Sequence, residues 1–136
     1  MGFGISRRSF VATLSASIAA ALIPGSVASA HLPPHPVPRR GITGAKVLSS
    51  TKLAESPKLI PLFDSVREIP EIVDGIRCNC GCPDPPEYYS LLSCYEGDGM
   101  ARNCVVCQSQ ARLVVRLNKE GKSLDQIRAA VDAKFG

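Results

Sequence analysis

Six cysteines are the residues of this chain best equipped for chemistry, and all six fall between Cys78 and Cys107. Three stand at alternate positions in Cys78-Asn79-Cys80-Gly81-Cys82. Cys94 follows alone, and then comes the pair Cys104-Val105-Val106-Cys107. In an extended segment, residues two apart point to the same side. Cys78, Cys80 and Cys82 are therefore expected to project from one face, with Gly81 letting the backbone curl so that their sulfurs converge. Disulfides between such close neighbours are awkward, because a bridge needs particular Cα separations and torsions. A metal ion accepts convergent thiolates more readily.

Cys104 and Cys107 are three apart at the expected start of a helix, and so share a face. The helix dipole and free N–H groups there favour thiolate, which suits a metal ligand and a redox nucleophile equally. No βαβ pattern surrounds this Cys-x-x-Cys, so a thioredoxin domain is not supported. The candidate metal ligands are Cys78, Cys80, Cys82, Cys94, Cys104 and Cys107. Six thiolates with histidine confined to the N-terminal part of the chain form a soft-ligand set, suited to Cu(I), Zn(II) or an iron–sulfur cluster. Zinc takes four sulfurs at about 2.3 Å in a closed tetrahedron. Cys-x-Cys-x-Cys is not the pair-plus-pair spacing of zinc ribbons, and no common iron–sulfur spacing is matched. Cu(I) is therefore favoured over Zn(II), in handling or sequestration rather than turnover.

Two other readings stay open, and both dispense with a metal. In a thiol–disulfide oxidoreductase, one cysteine of the 78–82 cluster attacks and a neighbour or Cys104 resolves. In a disulfide-stabilised interaction module, an even cysteine count bridges a small exported core and there is no catalysis. The partner is accordingly a metal ion or a redox protein. No phosphate loop, acid/base pair or nucleophile–histidine arrangement stands out.

The positioning elements come next. Ser6-Arg7-Arg8-Ser9-Phe10 resembles the twin-arginine export signal, without the Lys common near the end of that motif. An apolar run of 13 residues, Val11 to Ile23, and the small-x-small site Ala28-Ser29-Ala30 complete a signal peptide over residues 1–30. The run is short of the about 20 residues a spanning helix needs, so no membrane span is expected after cleavage. The expected location is the periplasm or another extracytoplasmic space. Without Arg7 and Arg8 the chain keeps 14 Lys+Arg against 12 Asp+Glu, a net charge of +2, too balanced to argue for nucleic acid.

Residues 31–56 open with His31-Leu32-Pro33-Pro34-His35-Pro36-Val37-Pro38 and read as an extended, flexible leader holding both histidines of the chain. His31, as a new N-terminus, could hold Cu(II) or Ni(II), although a solvated tail is the plainer expectation. Residues 57–136 read as the Cys-rich helical domain. Pro61 starts one short helix with Leu62, Phe63, Val66 and Ile69 on its apolar side. Pro70 starts another, stopped by Gly75. Glu87 to Tyr95 reads as two helical turns carrying Cys94. Asn103 caps a long helix from Cys104 to about Glu120, stopped by Gly121. Its stripes are Cys104, Cys107, Ala111, Val114 and Val106, Gln110, Leu113, Leu117. Ser123 and Gln126 form a capping box for a last helix lined by Leu124, Ile127 and Val131. The fold class is a mostly α, small helical domain with the Cys-rich loop packed on a helix N-terminus.

Taken together, Cys78-Asn79-Cys80-Gly81-Cys82, Ser93-Cys94-Tyr95, Cys104-Val105-Val106-Cys107, and Gly121-Lys122-Ser123 leading to Ile127-Arg128 and Phe135 are similar to the bacterial family named for its PCYCGC motif. The family is also described as CYCXC (seleno)proteins, and the resemblance spans about Ile69 to Gly136. Its members are small exported proteins, commonly lipoproteins. Selenocysteine in the motif of some relatives implies a reactive chalcogen, which makes Cys78, Cys80 and Cys82 the candidates for reactivity. Arg77 and Asn79 stand where the motif has proline and tyrosine, and no lipobox precedes the cleavage site. Arg77 is expected to place a positive charge beside the thiols and favour their ionised form.

Overall fold

Proline and glycine divide the helical part of the chain into its elements. The structure is a computed structural model. It describes residues 32–81 and 88–136, all within one unit, His31–Gly136. The expected signal segment, His31 and Cys82 lie outside the described residues.

A 3-10 turn at Pro57–Leu59 runs into helix α1, Ile60–Glu68, with Pro61 in the first turn, where a missing N–H costs nothing. Leu62, Phe63 and Val66 are its buried residues. Ile69 precedes Pro70 and leaves the helical region, at φ −127° and ψ 49°, which ends α1. Pro70 begins the single-turn helix α2, Pro70–Asp74, and Gly75 caps it as expected. A side chain at Gly75 would press on Leu124 and Pro38, so glycine also permits the close approach of these segments.

Helix α3 spans Val105–Lys119 and α4 spans Leu124–Phe135. Gly121 adopts φ 77°, its N–H donates to Asn118 O at 3.0 Å, and Lys122 N–H donates to Leu117 O at 3.1 Å. This left-handed stop satisfies carbonyls the helix end would leave orphaned. The expected capping box is present: Gln126 N–H donates to Ser123 Oγ at 3.3 Å and Ser123 N–H donates to Gln126 Oε1 at 2.9 Å. Among the described residues there is no β-strand, only an isolated bridge between Val47 and Glu96. No helix among them is long and apolar enough to cross a membrane.

The fold is therefore mostly α-helical, as expected, and two details differ. Glu87 lies outside the described residues, and the expected two turns before Tyr95 reduce to a 3-10 helix, Leu92–Tyr95. Leu91 N–H donates to Ile76 O at 2.8 Å and Ser90 N–H to Ser93 Oγ at 3.4 Å. These bonds take the groups a longer helix would use. The N-cap of α3 is Cys104 and not Asn103.

The leader packs against the domain, where a solvated tail is the plainer expectation. A 3-10 turn at Gly44–Lys46 sits on the end of α1, so close that a Cβ on Gly44 would collide with the Arg67 backbone. Arg39 grips Asp74, Tyr89 OH donates to Val37 O at 2.5 Å, and Val47 and Leu53 enter the core. That core joins Phe63 and Val66 of α1, Val73 of α2, Ala111 and Val114 of α3, and Ile127 and Val131 of α4. Phe63 packs against Tyr95 with ring centroids 4.6 Å apart and the ring planes tilted by 57°. Cys94 and Cys107 are fully buried in the same cluster. The sulfurs thus sit at the edge of the hydrophobic core, not on a separate lobe.

Candidate metal centre

Three elements bring the cysteines together. The segment after α2 supplies Cys78 and Cys80, the Leu92–Tyr95 3-10 helix supplies Cys94, and the first turn of α3 supplies Cys107. Their sulfurs all lie within 4.8 Å of one another. Cys78 Sγ is 3.0 Å from Cys80 Sγ and 3.5 Å from Cys107 Sγ. In a tetrahedral thiolate site with metal–sulfur bonds of about 2.3 Å, neighbouring sulfurs stand about 3.8 Å apart. The cluster is of that scale.

Cys104 is not a member of this group. Its Sγ accepts the Cys107 N–H at 3.4 Å and acts as the N-cap of α3. Spacing alone put both cysteines on one helix face. Capping requires non-helical backbone, and Cys104 has φ −103° and ψ 106°, which turns its sulfur to the helix end. Cys78, Cys94, Cys104 and Cys107 are free, whereas Cys80 is disulfide-bonded. A four-sulfur site therefore requires Cys80 to be reduced, while the three free sulfurs of Cys78, Cys94 and Cys107 converge with Cys80 bonded.

The electrostatics single out Cys78. Its thiol is pulled down to about 4, chiefly by hydrogen bonding from Cys107 and then Cys94, against burial that works the other way. Cys107 is raised, first by its bond to Cys78 and then by that to Cys94 and by burial. Contact with Cys107 lowers Cys94, but Cys78 and burial outweigh it and push the thiol up to about 12. One thiolate on part-buried Cys78, shared with the buried sulfurs of Cys94 and Cys107, is the result. Arg77 is not the cause expected from sequence. Its guanidinium donates to Asn79 Oδ1 at 2.7 Å and to Asp132 Oδ1 at 2.9 Å, which turns the charge toward α4.

Gln110 is buried, as its place in the helix stripe predicts, but its role beside the cysteines was not assigned from sequence. It is fully buried in α3, donates through Nε2 to Arg77 O at 3.2 Å, and accepts Asn79 N–H at Oε1 at 3.0 Å. Its Oε1 is also 3.6 Å from Cys78 Sγ. A polar side chain within an apolar stripe was its visible signal, because burial of an amide demands partners. Two other supports join separate segments of the chain. Tyr95 OH donates to Cys107 O at 2.9 Å. His35 Nδ1 accepts Arg77 N–H at 3.0 Å, which leaves Nε2–H to donate to Asp132 Oδ1 at 3.1 Å. His35 is thus a structural clamp behind the cysteine loop.

No protein-family model, no curated protein and no solved structure matches this chain. The functional reading accordingly rests on the sulfur geometry.

Proposed function

We propose that this is an exported protein that binds a soft metal ion through thiolates, Cu(I) in preference to Zn(II), for handling or sequestration. The observation that carries the reading is the convergence of Cys78, Cys80, Cys94 and Cys107 sulfurs within 4.8 Å at the edge of the core. Thiolates select soft cations, and burial shields a weakly hydrated ion from water. Cys78, Cys94 and Cys107 suffice for Cu(I), which is satisfied by two or three thiolates, while Zn(II) needs Cys80 reduced as a fourth. Four free cysteines do not suit a scaffold built on three bridges. Export and the kinship to the PCYCGC family belong to the same proposal, supported by Ser6-Arg7-Arg8-Ser9-Phe10 and by the cysteine order.

The test is anaerobic purification of the chain from His31 onward. Native mass, metal content and free thiols are read on one sample. The expected result is one metal per chain, with at least three thiols released only on acidification. A metal-free protein that takes up neither Cu(I) nor Zn(II) after reduction would overturn the reading.

A further inference from the structure

We propose that the outward face of α3 is a docking site for an acidic polypeptide segment of a partner protein. Val105, Ser109, Arg112, Arg116 and Lys119 recur at intervals of three and four, so they lie along one side of the helix, opposite buried Cys107, Ala111 and Val114. Grooves flank this row on both sides. One, about 500 Å³, lies against α1, where Leu62 and Ser65 line it with Arg112, Val115, Arg116 and Lys119. The other, about 270 Å³, is lined by Ser109, Arg112, Leu113 and Arg116 of α3 and by Lys134 of α4. Arg112 and Arg116 belong to both grooves and form the ridge between them.

Charge is concentrated here. Four cations and one carboxylate, Glu120, line the two grooves. Their sum of +3 exceeds the +2 of the whole chain beyond residue 30. The Arg112 guanidinium has no hydrogen-bond or ion-pair partner among the described residues, and Arg116 has only exposed Glu120 at 3.9 Å. Like charges three or four apart repel, so Arg112, Arg116 and Lys119 work against the helix that carries them. The helix dipole offsets this for Arg116 and Lys119 in the last turn, but not for Arg112 two turns from the end. Carboxylates of a partner relieve the repulsion, and arginine holds them through paired N–H bonds. Leu62 and Val115 give the α1 groove an apolar wall for a side chain between those carboxylates.

Shape and composition select the occupant. A flat anionic bilayer cannot enter two grooves, and the row has none of the Trp, Phe or Leu that anchors an interfacial helix. A nucleic acid calls for a larger net charge and for aromatic rings to stack on its bases. An acidic peptide fits a groove edged by arginines. At the N-terminal end of the row stands Val105, 72% exposed and two residues from Cys107 of the sulfur cluster. A docked partner therefore lies beside the candidate metal centre. Docking needs no ion, so it stands independently of the metal reading.

The experiment uses the full chain with EDTA and a fluorescein-labelled peptide of repeated Leu-Glu-Glu, read by anisotropy. The expected result is saturable binding that weakens as salt rises and is lost when Gln replaces Glu in the peptide. Arg112→Ser combined with Arg116→Ser should weaken it about tenfold, the scale of two exposed ion pairs. Lys52→Ser combined with Lys58→Ser removes the same charge from exposed positions elsewhere and should leave binding unchanged. On the wild-type chain, which needs no variant to fold, carbodiimide should cross-link the peptide to Lys119 and Lys134. Any of four results would overturn the proposal: no binding or undiminished binding of the Gln peptide, tighter binding to phosphatidylglycerol vesicles than to the peptide, cross-links confined to other lysines, or equal weakening by the two double variants. Metal uptake by the reduced protein is read separately, so either result leaves the other intact.

Discussion

The side-chain amide of Gln110 accepts the Asn79 N–H at 3.0 Å, across 31 positions of sequence. With the Arg77 carbonyl held at 3.2 Å by the same amide, α3 fixes the backbone on either side of Cys78. The sulfur cluster is thus placed by a buried glutamine as much as by the cysteines' own spacing.

Gln110→Leu should keep the helix and lose the clamp. Two backbone groups would be left without their partner, at a cost of about 1–3 kcal/mol each if they stay dry. The melting temperature of the reduced protein should fall. Support of this kind behind a ligand is worth about 10–100-fold in metal affinity, so Cu(I) competition with a chromophoric chelator should show a loss of that order. Unchanged affinity would mean the loop holds its own shape.

Substitution of Cys104 separates capping from ligation. Cys104→Ser supplies a better N-cap and should leave stability at or above wild type, with metal affinity retained. Cys104→Ala removes the cap and should cost about 1 kcal/mol in chemical denaturation. Cys78→Ser, by contrast, should abolish tight metal binding. If Cys104→Ser and Cys78→Ser lose the metal equally, Cys104 is a ligand and the geometric grouping is wrong.

The depressed thiol of Cys78 predicts an unusual pH profile. An ordinary thiol near pKa ~8.5 alkylates about tenfold faster for each pH unit gained below that value. With its pKa pulled down to about 4 by Cys107 and Cys94, Cys78 is already ionised at pH 6. Its iodoacetamide rate in the chelated protein, with Cys80 still oxidised, should be flat from pH 6 to pH 8, resolved by peptide mass. Cys94, pushed up to about 12, should react slowly throughout. A tenfold rise per unit at Cys78 would refute the shared-thiolate picture.

Much of this arrangement was legible beforehand, for local physical reasons. Pro61, Pro70, Gly75, Gly121 and the Ser123–Gln126 box act within one helical turn, so chain order alone reveals them. The convergence of Cys78, Cys80 and Cys107 also followed from spacing and the helix start. What sequence hid depends on long-range partners. His35 looked like part of a tail because Arg77 and Asp132 are 42 and 97 positions away. Arg77 looked like a thiol activator because nothing local shows that Asp132 turns it aside. Cys104 looked like a ligand because the choice between cap and helix face rests on a single residue's backbone angles.

Asp74 carries the last prediction, since it ties the leader to the segment that bears Cys94. Its carboxylate is fully buried, accepts Arg39 N–H and Nη2–H at 2.7 Å each, and accepts Ser90 Oγ–H at 2.7 Å. Burial alone would raise its pKa, but the bonds from Arg39 and Ser90 outweigh it and hold the carboxyl below its ordinary value. A group lowered on folding stabilises fully above the unfolded pKa of about 3.9, and that contribution fades as pH falls through the lower folded value. Stability should therefore drop below about pH 4 on an acid limb to which Asp74 contributes. Asp74→Asn should destabilise the protein at pH 7 by about 1–3 kcal/mol, through the lost charge-assisted bonds, and should flatten that limb. Urea unfolding at several pH values reads both effects. A variant whose acid limb matches the wild type would assign it to other carboxylates.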